Sequence, residues 1–222
     1  VMAQLKPDVA NKRFEIVIVS GVSAADMKIA EQGTVQSGDL VYELDGKTYR
    51  TSIKTLRGDF RQADGTTSNR LRRWEKSDFK PRSDDIFQER LYAIQWISKK
   101  TLNASRQETW FAAPSDADLE REQRVEQIVA DNLNRWQDEG LVPDMAIEPG
   151  YNTDQPIRER GWTHWHHFFN PRQLLSLAYA KQSLLKSQRS ECLLPSFTKA
   201  LDWINRGCYF GTGAARESIS HL

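Results

Sequence analysis

Cysteine is nearly absent from this chain. Cys192 and Cys208 are the only two among its 222 residues. Such a small number excludes a disulfide-rich secreted scaffold, and no cysteine pairs occur at the spacing of a zinc ribbon. We therefore expect two free or buried thiols in a reducing cytosol.

The chain also lacks a long apolar run and a strong excess of either charge. No stretch of about 18 apolar residues is present to span a bilayer, and no charged-then-apolar leader opens the sequence. The formal net charge is only +1, so binding of nucleic acid would depend on a local basic patch. We expect a soluble, cytoplasmic protein that has no membrane partner.

Neither end of the sequence is typical of a complete protein. The first residue is valine, and Ala215, Ile219 and Leu222 have the spacing of an amphipathic helix that reaches the last residue without a stop signal. The two features together favour a piece of a longer polypeptide.

The pattern of apolar residues predicts an α+β fold with a small strand and hairpin part before a mainly helical part. Residues 14–21 are rich in β-branched side chains and predict a strand. Ser23 and Asp26 have the spacing of a capping box for a short helix. Asp45-Gly46, within residues 40–53, predicts a tight hairpin. The expected division is residues 1–82, with the hairpin and a basic loop, and residues 83–222, packed on the first part as one inserted domain.

Helices are predicted to dominate the second part. Ser83 begins a predicted helix with the apolar stripe Phe87, Leu91 and Ile94, and residues 108–113 predict a short strand. Ser115 and Asp118 cap the longest predicted helix, 116–139, whose apolar stripe is accompanied by a strongly acidic surface. An irregular connector follows. Two further helices are expected at 171–187 and 196–206.

Basic residues concentrate between residues 57 and 82, and again at 158–172. Arginines around an aromatic side chain in a loop suit contact with phosphates and stacking on bases. A solvated loop that forms salt bridges to the acidic helix 116–139 explains the same pattern equally well. The residues for which we expect DNA contact under the first interpretation are Arg57, Arg61, Arg70, Arg72, Arg73, Trp74, Lys76, Arg158, Arg160 and Arg172.

The string "THWHHFFNPRQLL" at residues 163–175 has a structural and a functional interpretation. Asn170, Pro171 and Gln173 are typical of a helix start, and Phe169 is placed to pack on Leu174. The role of His164, His166 and His167 is left open by the sequence. A metal pair or a base-stacking segment remains an alternative to a packed segment, but the spacing matches no known zinc pattern.

Recognised catalytic motifs are missing from the chain. The string "YFGTGAA" at residues 209–215 is one residue out of step with a Phe-x-Gly-x-Gly cofactor loop. No Walker loop, nucleophile elbow or Asp-Pro-Pro-Tyr tetrad occurs. The sequence therefore offers no catalytic, cofactor-binding or metal-ligating residue that we would assign.

Several strings together resemble the central part of a family of very large adenine-specific DNA methylases, many of which contain an internal zinc ribbon. The resemblance extends over nearly the whole chain, and its most specific part is the string "WHHFFNPRQLL" at residues 165–175. The other strings are "GVSAADMKIAEQGTVQSGDLVY", "LRGDF", "LRRWEKSDFKPRSDDIFQERLYAIQW", "ADLEREQRVEQIVADNLNRWQDEGLVPDMAIEPG" and "GTGAARESISHL".

The resemblance implies a parent enzyme that transfers a methyl group from S-adenosylmethionine to adenine N6 in DNA, in restriction-modification or phage defence. Its cofactor loop and catalytic tetrad would lie outside this segment, so no catalytic residue is carried over. At the ribbon position, where many relatives have Cys-x-x-Cys-Gly, this sequence has Tyr42-Glu43-Leu44-Asp45-Gly46, which implies a hairpin without zinc. We expect a non-catalytic inserted segment that contacts DNA and the rest of the methylase; the alternative is a protein-interaction or scaffold domain.

Overall fold

The computed structural model describes residues 1–151, 153–188, 190–201, 204–206, 209–211 and 216–218. The chain divides into two compact units. Unit 1 comprises residues 1–59 and 90–119, and unit 2 comprises residues 60–89 and 120–222. The expected α+β class is confirmed, because small antiparallel sheets lie mostly toward the N-terminus and helices follow. The expected division at residue 82 stays a prediction about domains.

Unit 1 is built from short antiparallel strands. Strands β1 (Met2–Asp8) and β2 (Arg13–Val19) pair along their whole length. A second sheet has the order β3 (Val35–Gln36), β4 (Asp39–Leu44), β5 (Lys47–Ser52). The predicted hairpin is confirmed, with Tyr42 opposite Tyr49 and the turn at Asp45-Gly46, where both residues have positive φ.

Helices α1 (Ala24–Ala30) and α2 (Ile53–Arg57) are short and, like the strands of this unit, contain no buried residue. The capping box of α1 is confirmed, since the hydroxyl of Ser23 accepts from the N–H of Asp26 and the Asp26 carboxylate accepts from the N–H of Ser23. Strands β8 (Ile94–Ile97) and β9 (Thr109–Ala112) form a further hairpin, whose loop contains a short 3-10 helix, Lys99–Thr101. The strand predicted at 108–113 is therefore confirmed.

The helix predicted to begin at Ser83 is wrong. Residues 83–93 are turns and irregular chain, and Ile94 begins β8. The carboxylate of Asp85 accepts from the N–H of Arg82 and from the guanidinium of Arg72 instead of capping a helix. A long-range ion pair has thus overridden a local capping signal.

Helix α3 (Asp116–Asp138) begins with the predicted capping box, in which Ser115 and Asp118 exchange hydrogen bonds, and Gly140 follows it with positive φ. Val129, Leu133 and Trp136 of its apolar stripe are buried, as expected. They pack in unit 2 with Leu141, Val142, Phe169, Leu174, Leu177 and Ala178.

The connector after α3 contains a helix that the sequence did not predict, α4 (Asp154–Arg160). A 3-10 helix, Trp165–Phe168, leads into α5 (Pro171–Leu185), which has the predicted cap: Asn170 accepts from the N–H of Gln173. Helix α6 spans Ser190–Leu201, earlier than the predicted 196–206, and contains Pro195.

Two further pairs of short strands belong to unit 2: β6 (Phe60–Arg61) with β7 (Thr67–Ser68), and β10 (Tyr209–Gly211) with β11 (Arg216–Ser218). The helix expected at the C-terminus is wrong at Arg216–Ser218, where the chain is a strand because it pairs with Tyr209–Gly211. Ala215, Ile219 and Leu222 lie outside the described residues. In the described part of the chain, no helix has both the length and the apolar character that crossing a membrane requires.

Candidate nucleic-acid interface

Two segments far apart in the sequence lie side by side in unit 2. The N–H of Trp74 donates to the carbonyl of Gly161 over 2.8 Å, and the guanidinium of Arg73 donates to the carbonyl of Ile157 over 2.6 Å. The side-chain amide of Asn69 donates to the carbonyl of Arg158. Residues 69–74 therefore run along the last turn of α4, and the two basic stretches of the sequence become neighbours.

Glycine at position 161 permits this close approach. Gly161 ends α4 with φ of +77°, in the left-handed region that favours glycine. A Cβ at this position would collide with the carbonyl oxygen of Arg72. Any side chain here would strain the backbone and separate the two segments.

His166 and His167 form hydrogen bonds with the loop that follows Trp74. The Nε2 atom of His166 lies 3.1 Å from the carbonyl oxygen of Asp78, and that of His167 lies 3.0 Å from the carbonyl oxygen of Glu75. A carbonyl only accepts, so Nε2 is the protonated nitrogen of both rings. Both side chains are fully buried.

The remaining ring nitrogens show that the two histidines are neutral. The Nδ1 atom of His167 accepts from the N–H groups of Thr163 and His164, over 3.1 and 3.2 Å. The Nδ1 atom of His166 lies 3.4 Å from the side-chain nitrogen of Gln137, which donates to it. Burial lowers the pKa of His166 to about 4 and, together with repulsion from the protonated form of His166, lowers the pKa of His167 to about 3. These histidines act as uncharged hydrogen-bonding groups within the packed segment.

Tryptophan 74 is part of an aromatic cluster in the interior. It is only 6% exposed, and its ring meets Trp162 edge to face at 6.3 Å and His167 at 5.1 Å. Trp162 in turn contacts Phe168 at 5.1 Å. Trp74 therefore contributes to the core, and in this structure its ring faces are covered by protein atoms.

Arg206 is the central cation of this cluster, and the sequence did not single it out. Its guanidinium lies 5.4 Å from the ring centre of Trp74 and 5.8 Å from that of Trp162. It donates to the carbonyls of His167 and Phe79, over 3.1 and 2.9 Å. Cation–π contact and these hydrogen bonds hold the buried charge between the two segments.

Burial strongly affects this arginine. The side chain is 7% exposed, and its ion pair with Glu89 spans 3.2 Å. Burial lowers the pKa of Arg206 to about 10, although Glu89 opposes the shift, so the group stays charged at neutral pH. Its Nε atom has no hydrogen-bond partner within the described part of the chain. The sequence around Arg206 does not indicate that it is buried, because all of its partners are distant in sequence.

Arg72 is engaged in a network of ion pairs. Its guanidinium contacts the carboxylates of Asp78 and Asp85, each of which has a side chain only 8% exposed, and Arg82 also contacts Asp78, over 2.9 Å. Burial alone would raise the pKa of Asp78, but Arg72, the N–H of Glu75 and Arg82 outweigh it and hold that pKa below its usual value. The network gives a defined conformation to part of the basic loop predicted for residues 57–82.

The structure separates the ten predicted contact residues into two groups. Arg57 belongs to unit 1 and pairs with Asp59 over 2.9 Å; Arg72 and Trp74 are engaged as described above. The exposed group, all in unit 2, consists of Arg61, Arg70, Arg73, Lys76, Arg158, Arg160 and Arg172.

Several of the exposed cations have partners on the protein. Lys76 pairs with Asp144 over 3.1 Å, and Arg172 pairs with Glu122 of α3 over 3.4 Å. Lys80 pairs with Glu126, also on α3. Some basic side chains thus do form salt bridges to the acidic helix, which is the alternative that the sequence left open. Exposed pairs of this kind contribute little free energy, so a phosphate can compete for the cation.

Neither the arrangement of possible metal ligands nor comparison with known proteins indicates a specific chemistry for this chain. Among the described residues, no group of three or more His, Cys, Asp and Glu side chains is arranged to hold a metal ion; His221 lies outside them. Of the "YFGTGAA" string, Tyr209–Gly211 is strand β10 and the remainder lies outside the described residues. No protein-family model, curated protein or solved structure matches the chain.

Proposed function

We propose that unit 2 contacts the phosphates of duplex DNA through a basic rim formed by Arg70, Arg73, Arg158 and Arg160. The observation that carries this proposal is the close pairing of residues 69–74 with the last turn of α4, which places two separate basic stretches next to each other. Exposed arginines grouped on an ordered backbone suit contact with neighbouring phosphates.

The packing around the rim supports the same function. Arg73 is held by the carbonyl of Ile157 through one nitrogen, and Arg160 lies over the ring of Phe87 at 5.3 Å. Arg158 pairs with Asp154 and Glu159, over 3.5 and 3.4 Å, at positions where all three side chains are partly exposed. Side chains fixed in this way lose less conformational entropy when they bind a phosphate.

From the motif strings of the sequence we further propose the context of this contact. The chain would be a non-catalytic segment of a cytoplasmic, S-adenosylmethionine-dependent DNA N6-adenine methyltransferase, in which the basic rim contributes to target recognition. The remaining parts of the methylase would supply the cofactor loop and the catalytic tetrad and would be its protein partners. Restriction-modification is the proposed biological setting.

Fluorescence anisotropy with a short labelled duplex tests the rim. We expect binding that weakens steeply between low and near-physiological salt, because each phosphate contact releases counterions. The variant Arg70→Ala, Arg158→Ala, Arg160→Ala should reduce the slope of log affinity against log salt by roughly 3, at about 0.9 per phosphate contact. Arg72 is a poor choice for this experiment, because its removal would break the buried ion pairs with Asp78 and Asp85.

Matched controls are provided by exposed cations on other elements of unit 2. Arg124→Ala on α3 and Lys186→Ala at the end of α5 remove the same kind of charge and should leave the salt slope almost unchanged. A wild-type chain that fails to bind duplex at low salt would remove the proposal, as would a rim variant that binds like the controls.

One observation favours the alternative of a protein-interaction or scaffold role. Several large apolar side chains of unit 1 are strongly exposed, among them Val9, Ile29 and Val35 at 66%, 67% and 58%. Large apolar side chains that are this strongly exposed are groups that a partner protein would cover. Light scattering after size exclusion would show self-association under this alternative, and Ile29→Ser with Val35→Ser should then abolish it.

A further inference from the structure

A second surface with the chemistry of nucleic-acid recognition lies in unit 1, on the β8–β9 hairpin. Trp96 and Trp110 are directly opposite each other in this hairpin. Residues directly opposite in an antiparallel pair project from the same face, with their Cβ atoms about 5 Å apart. The side chains are 40% and 48% exposed, so this face presents two adjacent indole rings to solvent.

Exposure in the hairpin follows the distance from its loop. The two pairs next to the loop, Trp96 with Trp110 and Ile97 with Thr109, are exposed, and the two farther pairs, Gln95 with Phe111 and Ile94 with Ala112, are half-buried. Exposing two tryptophans side by side is unfavourable in water. An exposed aromatic pair next to the loop is therefore a candidate contact surface for a ligand with flat, stackable groups.

The loop of the same hairpin supplies positive charge. Lys99 and Lys100 lie in its 3-10 helix and Arg106 follows them, all three exposed. Within the described part of the chain these three cations form no ion pair, and Glu108 is the only acidic residue between positions 98 and 108. The loop is held in shape by hydrogen bonds: the hydroxyl of Thr101 accepts from the N–H of Glu108 over 2.9 Å.

We propose that the β8–β9 hairpin binds an unpaired DNA strand, with its bases stacked on Trp96 and Trp110 and its phosphates on Lys99, Lys100 and Arg106. Stacked aromatic side chains beside a basic stretch are the combination by which proteins hold single strands without reading sequence. Unpaired bases expose the faces that a duplex keeps stacked, so the hairpin selects single-stranded over duplex DNA. The choice of DNA as the polymer rests on the proposed function; the site itself is independent of the basic rim.

Anisotropy with a labelled thymidine 20-mer tests the site. The variant Trp96→Ala, Trp110→Ala should weaken binding by about tenfold or more, since each stacked base contributes on the order of 1–3 kcal/mol. Lys99→Ala with Lys100→Ala should lower the salt slope by about 1.4, at about 0.7 per contact on a single strand. Trp96→Phe with Trp110→Phe keeps the rings and should restore most of the affinity.

Control variants separate this site from the basic rim and from general effects. Tyr151→Ala removes a fully exposed aromatic side chain of unit 2 and should leave binding of the 20-mer unchanged. The rim variant Arg70→Ala, Arg158→Ala, Arg160→Ala should weaken duplex binding and spare the 20-mer. An unaltered chain that binds the 20-mer but no duplex would contradict the proposed function, and an unaltered chain that binds the duplex but not the 20-mer would contradict the hairpin proposal.

Photo-crosslinking of the unaltered chain gives a readout that no folding defect can disturb. A 20-mer that carries 5-iododeoxyuridine should crosslink within residues 91–99 and 107–121, the tryptic peptides that contain Trp96 and Trp110. Crosslinks confined to other peptides would overturn the proposal. Equal or tighter binding of a uridine 20-mer would overturn the assignment to DNA, and self-association that depends on Trp96 without any strand binding would identify a protein contact instead.

Discussion

The two units differ in how they are stabilised. Every buried side chain in the described part of the chain belongs to unit 2, including both hydrophobic clusters and the pair His166 and His167. Unit 1 has half-buried and exposed side chains on short sheets whose strands pair with sequence neighbours. Tertiary packing therefore supports unit 2, and mainly local backbone pairing supports unit 1.

This difference has a functional consequence. The rim arginines of unit 2 lie on backbone that distant residues hold in place, so the spacing of these arginines is defined without a ligand. The tryptophans of unit 1 are mounted on a two-stranded hairpin, an element that is only marginally stable alone. A surface of this kind adapts to a flexible strand more readily than to a rigid duplex, and we expect unit 1 to open at a lower free energy than unit 2.

Replacing one tryptophan in each unit gives the largest expected contrast. Trp74→Ala should lower the free energy of unfolding by about 3–5 kcal/mol, because it leaves a cavity and removes the ring that faces Arg206. Trp110→Ala, at a position almost half exposed, should lower it by about 1 kcal/mol or less. Urea denaturation followed by circular dichroism measures both. Equal losses would show that the burial contrast does not govern stability.

Ion pairs provide the next contrast. Arg72→Ala leaves the carboxylates of Asp78 and Asp85 mostly buried without their main cation, and we expect a loss of about 3 kcal/mol. The matched substitution in unit 1 is Arg13→Ala, which breaks an exposed pair with Asp8 of 3.2 Å. That loss should stay below about 1 kcal/mol. A triple variant that also replaces Asp78 and Asp85 should lose less free energy of unfolding than Arg72→Ala alone. If it loses as much or more, the unpaired carboxylates are not the cause of the destabilisation.

Sequence reasoning succeeded where local signals decide the structure. The capping boxes at Ser23, Ser115 and Asn170 each begin a helix, and Asp45-Gly46 forms the hairpin turn. These signals act over three or four residues, so neighbouring residues suffice to interpret them. Gly161 is likewise a local stop signal at the end of α4. The helix itself was not predicted, because the turn-forming residues before it and Pro156 favoured an irregular segment.

The rest depended on contacts across the chain. Ser83 and Asp85 resemble a helix start, but Arg72 takes the carboxylate of Asp85. Arg206 holds two tryptophans that are 88 residues apart in sequence, and no pattern around it indicates this. The candidate rim was predicted only as two unrelated basic stretches, because their adjacency requires the backbone hydrogen bond between Trp74 and Gly161. The exposed pair Trp96 and Trp110 was missed because the predicted helix at residue 83 extended to Ile94 and concealed β8.

The smallest expected difference between the two units is their loss of stability in mild acid. In the described part of the chain the histidines are His164, His166 and His167, all in unit 2, and burial lowers the pKa of His166 and His167 to about 4 and 3 from 6.5. Below pH 6.5 the unfolded chain takes up protons that the folded chain excludes, so stability that is complete above pH 6.5 declines as the pH falls toward 4. Between pH 7 and pH 6 the loss should be about 1 kcal/mol.

Hydrogen exchange at the two pH values, corrected for the intrinsic rate, measures where this loss occurs. Protection should fall for amides of residues 163–170, which the two histidines hold, while amides of β1 and β2 in unit 1 keep theirs. The variant His166→Gln, His167→Gln provides the control: it is less stable at pH 7 but cannot take up these protons, so its protection should hardly change at pH 6. If this variant loses as much protection as the unaltered chain, His166 and His167 are not the cause. Asp78 and Asp85 would not be the cause either, because their pKa values are held below the usual value and both stay ionised throughout this range.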